Sequence, residues 1–333
     1  MHHRPLGSSG ISTSIIGIGT AAIDNSDSST KADAKGIIKA IHAALDQGIR
    51  LIDTAPSYGW GKAEHVVGKA ISGRRGQVEI ATKCGIWWKS RRGSPNGMKN
   101  GQDTYICLSS DAIEAQLEDS LRLLGVDYID LLQVHKPAIP PELTPIEETM
   151  ECLVNLKAKG KIRAIGVSNV SLDQLSTYRS VASVDTNQLR YSMLHRDNES
   201  GIMPYCVKHN IATLTYWSLE YGLLSGKIGK DRSFAPGDFR NEAEHWHPWY
   251  KPKNRERLSS MFSGWKDLQE KYDCTTSQLV LAWTAAQPAV THVLCGSKTV
   301  AQSIENSKAG RLVLEPVDIE RVEEDLIALD GQD

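Results

Sequence analysis

The apolar positions of this chain follow two alternating rhythms. Short runs rich in β-branched residues lie at 14–19, 49–53, 78–83, 129–135, 164–168, 184–189, 212–216 and 291–296. Each run has the length of a buried strand, and most are followed by a longer stretch with apolar residues three and four apart, the spacing of one helix face. Ile37, Ile38, Ile41, Ala44 and Leu45 form one such stripe, and Ile113, Leu117, Leu121 and Leu124 another. Before the last strand, Thr275, Thr276 and Ser277 precede the apolar set Leu279, Val280, Ala282 and Trp283, which predicts an N-cap and then a helix.

Strands alternating with helices predict parallel βαβ units, and eight of them fit a closed (β/α)8 TIM barrel of the α/β class. Such barrels commonly reach ~250 residues or more as one unit, so residues 1–333 are expected to form a single domain. The first sixteen or so residues hold Gly7 and Gly10 between two short apolar runs, which predicts an N-terminal β-hairpin capping the far end of the barrel. Two stretches break the rhythm, 86–109 and 231–254, and are expected to be long loops at the C-terminal face.

That face is where a barrel of this kind carries its chemistry, so the strand ends are the positions to inspect. In order they are Gly19 with Thr20, Asp53, Lys83, His135, Ser168 with Asn169, Gln188, and Tyr216. Polar residues recur at the same relative position of otherwise apolar strands. Singly, each has a bland reading: a cap, a solvated lysine, a satisfied imidazole, a tyrosine packed at the rim. Together with Tyr58, five residues after Asp53, they make a coherent group. A phenol with an ordinary pKa near ~10 needs a neighbouring cation to act as a proton donor. Lys83 supplies that charge, Asp53 holds Lys83 charged and oriented, and His135 positions a substrate oxygen.

Composition and charge narrow the field by exclusion. With 40% hydrophobic and 23% charged residues and a net charge of −2, the chain reads as an ordinary water-soluble globular protein without the basic footprint of a nucleic-acid binder. Cys84, Cys107, Cys152, Cys206, Cys274 and Cys295 lie far apart with no CxxC pair, so reduced core thiols are expected, with neither a metal site nor disulfides. No secretory leader and no apolar run approaching the ~20 residues of a membrane span is present, and the expected location is the cytoplasm.

The motifs carry a further reading. GIGT at 17–20, IDTAPSYG at 52–59, ATKCG at 81–85, DYIDLLQVHKP at 127–137, KGKIRAIGVSN at 159–169, TYWSLEYGLLSGK at 215–227 and GSKTVAQSIEN at 296–306 resemble, in order and spacing, the aldo-keto reductase superfamily. The similarity runs over nearly the whole chain and is nearest to bacterial branches that act on sugars, polyols and simple aldehydes. It implies an NADP(H)-dependent enzyme with a tetrad of Asp53, Tyr58, Lys83 and His135, Tyr58 being the general acid. It also implies that Gly19 and Thr20 touch the cofactor, that Ser168, Asn169 and Gln188 hold the nicotinamide carboxamide, and that Tyr216 stacks on the ring. Ser218, Leu219, Gly222, Leu224, Gly226 and Lys227 would follow the pyrophosphate. Gly296, Ser297, Lys298, Gln302, Glu305 and Asn306 would take the adenosine end, with Ser297 and Lys298 at a 2′-phosphate of NADPH or NADP+. Many relatives are more basic there, so Lys298 alone implies a modest preference. Trp60, Trp87 and Trp88 are expected to wall the pocket of a small carbonyl or alcohol substrate, and Trp217, Trp246, Trp249 and Tyr250 either pack loops or extend that wall.

Three other readings compete with this one. The run Gly17-x-Gly19-x-x-Ala22 fits a loose dinucleotide fingerprint, but the polar residues 24–30 stand where that fingerprint needs a helix to open. Similar proteins serve as regulatory subunits of potassium channels, and the start of the chain directly at the first hairpin is expected to disfavour the channel-blocking kind. A sugar or polyol dehydrogenase, or an epimerase with retained cofactor, would use the same residues. The sequence leaves oligomeric state open.

Overall fold

The computed structural model describes residues 1–23 and 34–330. The polar stretch 24–30 therefore lies outside the described residues. Eight parallel strands close into a barrel: β1 (Ile16–Gly19), β2 (Leu51–Asp53), β3 (Glu79–Cys84), β4 (Ile129–Val134), β5 (Ile162–Ser168), β6 (Thr186–Arg190), β7 (Ala212–Tyr216) and β8 (His292–Gly296). Neighbours in sequence are neighbours in the barrel, and β8 closes it by pairing Gly296 with Gly19 of β1. All eight predicted strands are present, with ends displaced by up to two residues. Ser14 is the one misplaced in kind: it ends a hairpin strand, and its hydroxyl accepts from the Arg50 and Leu51 amides at 2.8 and 3.2 Å.

Both predicted helical stripes cover the barrel. Helix Ala34–Asp46 buries Ile37, Ile41, Ala44 and Leu45, and helix Ser110–Leu124 buries Ile113, Leu117, Leu121 and Leu124. The polar 275–277 segment caps helix Thr276–Ala286: Thr275 accepts from the Gln278 amide while the Gln278 side chain accepts from the Thr275 amide. This reciprocal pairing satisfies two donors that a helix start otherwise leaves bare.

The N-terminal strands His3–Pro5 and Ser12–Ser14 form the expected hairpin. Leu6 and Ile11 drive into the barrel against Leu51, Ala81, Leu131, Ala164, Ala212, Leu214 and Leu294, an apolar plug at the N-terminal end. Gly7 lies so close to the barrel that a Cβ would sit 2.1 Å from the Asp185 carbonyl, and its φ of 55° suits glycine. Strand side chains alternate with a period of two, so one inward step further along each strand reaches the other end. There Leu51 gives way to Asp53, Ala81 to Lys83 and Leu131 to Gln133. A dry lower layer thus supports a polar upper one.

Residues 86–109 depart from the loop expectation. They fold into an antiparallel sheet of Ile86–Trp87, Ser94–Lys99 and Gln102–Ile106. Lys99 pairs with Gln102, and Asn100 and Gly101 turn between them with φ of 51° and 74°. Asn-Gly is the residue pair that a tight hairpin of this hand favours, and it is the signal for this turn in the sequence. Residues 231–254 hold the helical turns Phe239–His245 and Pro248–Tyr250 and the start of helix Pro252–Ser263, with irregular chain between them. All six cysteines are free, and no described helix is long and apolar enough to cross a membrane.

One buried carboxyl lies behind the barrel wall. Glu64, on helix Lys62–Ile71, accepts from Thr82 Oγ1 at 2.8 Å. Burial pushes its pKa from 4.5 up to about 7, against the Thr82 and Ser120 hydroxyls and the Lys83 charge, which pull the other way. A carboxyl raised on folding contributes stability that is whole below 4.5 and is lost as pH rises through about 7. Glu64→Gln is therefore expected to match the parent near pH 4 and to become the more stable protein above neutrality, by on the order of 3 kcal/mol. Denaturant melts at both ends of the range check this; a gap independent of pH would refute it.

Candidate active site

The four tetrad residues meet at the C-terminal mouth. Lys83 Nζ donates to Asp53 Oδ1 and Oδ2 at 2.8 and 2.7 Å and to the Thr54 carbonyl at 2.9 Å, so all three of its protons have acceptors. Both side chains are nearly sealed from solvent. Burial opposes the Lys83 charge, but Asp53, with Tyr58 beside it, outweighs that penalty and holds Lys83 above the usual lysine range. The ammonium lies 5.0 Å from the Tyr58 ring centroid. The His135 ring meets the Tyr58 ring edge-on, with centroids 5.8 Å apart. Burial and the charges of Lys83, Lys136 and Lys99 drive the His135 pKa well down, so it stands as neutral imidazole, able to donate one hydrogen bond without carrying charge.

Asp53 has two further donors. Gln188 Nε2 reaches Oδ1 at 2.7 Å and Gln133 Nε2 at 3.3 Å, and the two amides also bond each other at 3.3 Å. Gln188 was expected at a nicotinamide carboxamide; here its NH2 is directed at Asp53. Gln133 was missed, although a glutamine inside the apolar run IDLLQV was its readable signal. These amides sit where β5 leaves room: a Cβ on Gly166 would lie 2.3 Å from Thr186 Oγ1 and 2.8 Å from Gln133 Cγ.

Around this core the other expected residues form a second set of bonds. Thr20 Oγ1 donates to the Asp53 carbonyl at 3.0 Å. Ser168 Oγ donates to the Gln188 carbonyl at 2.8 Å, and Asn169 Nδ2 donates to the His135 carbonyl at 3.0 Å. Tyr216 OH donates to Asn169 Oδ1 at 2.7 Å. Asn169 has φ of 58°, a left-handed backbone that asparagine tolerates better than most residues. Beyond β7, Ser218 is buried beside Thr215, and the backbone turns left-handed at Trp217, Glu220, Tyr221 and Gly222 before Leu224, Gly226 and Lys227. Lys227 pairs with Glu305 at 2.7 Å, bringing together the segments expected at the pyrophosphate and the adenosine.

The expected adenosine end also fits an anion. Gly296, Ser297 and Lys298 lead directly into helix Val300–Ala309, whose first-turn amides and dipole favour negative charge. Asn306 Nδ2 donates to Ser297 Oγ at 3.1 Å, fixing that hydroxyl. Gln302 has a local task as well, its Oε1 accepting from the Lys298 amide at 2.8 Å.

The aromatic residues divide. Trp60 and Trp88 pack together with centroids 5.3 Å apart, whereas Trp87 donates its indole NH to Ser90 and does not share their contact. Trp217, Tyr221, Phe239, Trp246 and Tyr250 pack against one another in tilted and edge-on pairs and join the 231–254 segment to the chain after β7. Beneath them lies a second missed residue, Glu220, fully buried and held by Arg190 at 2.9 Å, Ser192 at 2.6 Å and His247 at 3.0 Å.

Residues 15–326 match the model of the aldo/keto reductase family. The chain belongs to that family. It is 37% identical over 320 residues to the NADH-specific methylglyoxal reductase of Escherichia coli (strain K12), covering 96% of each chain. It is 40% identical over 304 residues to the aldo-keto reductase YhdN of Bacillus subtilis (strain 168), covering 91% of this chain and 86% of that one. Among solved structures it is similar to a glycerol dehydrogenase of Gluconobacter oxydans, with a TM-score of 0.84 and 32% identity over 98% of this chain and 94% of that chain. This aldo/keto reductase is therefore an enzyme, an oxidoreductase of small carbonyl compounds from a family that uses a nicotinamide cofactor.

Proposed function

We propose that this aldo/keto reductase reduces the aldehyde or ketone group of a small molecule with NADPH, or oxidises the corresponding alcohol, with Tyr58 as general acid. The observation that carries the reading is the buried Lys83–Asp53 pair set against Tyr58. When bound, the cofactor supplies or accepts the hydride. Tyr58 gives its proton to the carbonyl oxygen, and the ammonium of Lys83 stabilises the phenolate left behind. Asp53 keeps Lys83 charged in a place where burial alone would discharge it. Neutral His135 donates to the same carbonyl oxygen and fixes its position. Gln188 and Gln133 hold the Asp53 carboxylate still. In the alcohol direction each proton moves the other way, and the likeness to a glycerol dehydrogenase supports polyols for that direction.

Ser297 and Lys298, at the start of a helix, support NADPH over NADH, while the E. coli relative is named NADH-specific. Fluorescence titration with both cofactors, followed by absorbance at the reduced-cofactor band with aldehydes, aldoses and polyols, tests the reading. Binding without turnover on any of them would overturn it. Lys298→Met is expected to weaken NADPH about tenfold or more, the worth of a charge-assisted contact, and NADH little. Equal losses for both cofactors would show that the 2′-phosphate is read elsewhere.

A further inference from the structure

The chain after β7 carries a strained backbone. Trp217, Glu220 and Tyr221 have φ of 59°, 41° and 55°, a left-handed region that side chains other than glycine rarely occupy, and Gly222 follows at 99°. Such a run persists only where its surroundings over-determine it. Glu220 is the point at which they do. Its Oε1 accepts from Ser192 Oγ at 2.6 Å, and its Oε2 accepts from Arg190 at 2.9 Å and from His247 Nε2 at 3.0 Å. Burial pushes the carboxyl toward its neutral form, but the bonds from His247, Ser192 and Arg190 outweigh it and hold the pKa below the usual glutamate range. The acid is therefore a charged anchor gripped from two directions: Arg190 at the end of β6 with Ser192 just beyond it, and His247 from the 231–254 segment. Close by, the Arg190 guanidinium lies 4.8 Å from the Trp217 ring centroid, and Tyr250 donates its hydroxyl to the Tyr221 carbonyl at 3.3 Å.

We infer that Glu220, clamped by Arg190, Ser192 and His247, is a positioning residue for the cofactor: it sets the turn whose Ser218, Leu219 and Gly222 would meet the pyrophosphate. The inference rests on the cofactor placement of the carbonyl-reductase reading and adds the group that shapes that part of the site. Fully buried, Glu220 acts through the backbone. Its amide donates to the Trp217 carbonyl at 2.7 Å, and the Gly222 amide donates to the Leu219 carbonyl at 2.8 Å, so the turn is tied on both sides of the anchored side chain. A turn already in its bound shape need not be ordered when the ligand arrives, and affinity rises accordingly. NADPH and NADH share the pyrophosphate, so loss of the clamp weakens both alike, unlike a change at Lys298.

The test uses Glu220→Gln, His247→Leu and His247→Gln, the last of which keeps a side-chain NH able to donate to Glu220. Fluorescence titration is expected to show Glu220→Gln and His247→Leu binding NADPH and NADH more weakly than the parent by one common factor, about tenfold or more, the worth of a hydrogen bond to a charged group. His247→Gln should return most of that affinity. The single-turnover rate of hydride transfer at saturating cofactor should fall far less than the affinity, because the clamp shapes the cofactor's turn and not the tetrad. If Glu220→Gln does not fold, the two His247 variants decide alone. Parental affinities, a loss confined to one cofactor, a loss that His247→Gln does not relieve, or single-turnover rates that fall as far as the affinities each overturn the inference and leave the reductase standing. Binding is measured without turnover, so a parent that binds both cofactors yet reduces or oxidises nothing in the carbonyl and polyol panel loses the reductase reading while the affinities still decide the clamp. A parent that binds neither cofactor overturns both.

Discussion

Tyr58→Phe is expected to lower kcat for carbonyl reduction by roughly 10²- to 10⁴-fold, the usual worth of a general acid, with cofactor affinity close to that of the parent. The substitution removes one oxygen and keeps the ring, so the edge-on contact with His135 and the contact with Lys83 remain possible. What disappears is the group that gives the carbonyl oxygen its proton. Neither His135 nor Lys83 is suited to replace it. His135 is already neutral, because burial and three lysines hold its pKa well down, and an imidazole in that state is a poor proton source. Lys83 has its protons committed to Asp53 and Thr54. Stopped-flow measurement of reduced-cofactor oxidation, with a parallel binding titration, checks both halves. A variant with near-parental turnover would mean that the proton comes from elsewhere.

Lys83→Met should cost more, because it damages fold and chemistry together. Removing one partner of a buried ion pair leaves the other charge unpaired, with a penalty of about 3–5 kcal/mol. Asp53 would keep only the amide donors of Gln188 and Gln133. Adding Asp53→Asn removes the stranded charge, so the double variant should recover much of the stability while turnover stays lost. That divergence is the informative result: stability that fails to recover would mean the single change does its harm through packing. The pH dependence has a definite sign. Lys83 is raised above the ordinary lysine pKa on folding, so the pair's contribution is whole below that ordinary value and is lost only as pH rises through the raised one. Denaturant midpoints of the parent should show no loss from this source in the neutral range.

The barrel was legible because strand and helix have different apolar periods, and a chain that alternates them eight times has few other ways to bury both. Its strand ends were legible for a related reason. Polar residues terminating apolar runs stand out against the core composition, and Asp53, Lys83 and His135 stand out in that way along the chain. The antiparallel sheet between β3 and β4 is hard to read from the sequence, because its strands are short and polar and its Asn100-Gly101 turn lies in a stretch rich in Gly and Ser. Glu64 and Glu220 were passed over because an isolated acid in a helix or loop looks solvated until tertiary contacts show it buried.

The sequence by itself determined the fold class and the family, and singled out Asp53, Tyr58, Lys83 and His135 as the residues expected to act together, since each is a matter of local pattern, order and spacing along the chain. Only the tertiary structure decided that Gln133 and Gln188 converge on Asp53 and that the aromatic residues after β7 meet those of the 231–254 segment. Those facts join residues tens of positions apart through the closure of a barrel and the folding of a long connection. Distance and burial, on which charge and proton affinity depend, exist only once the chain has closed on itself.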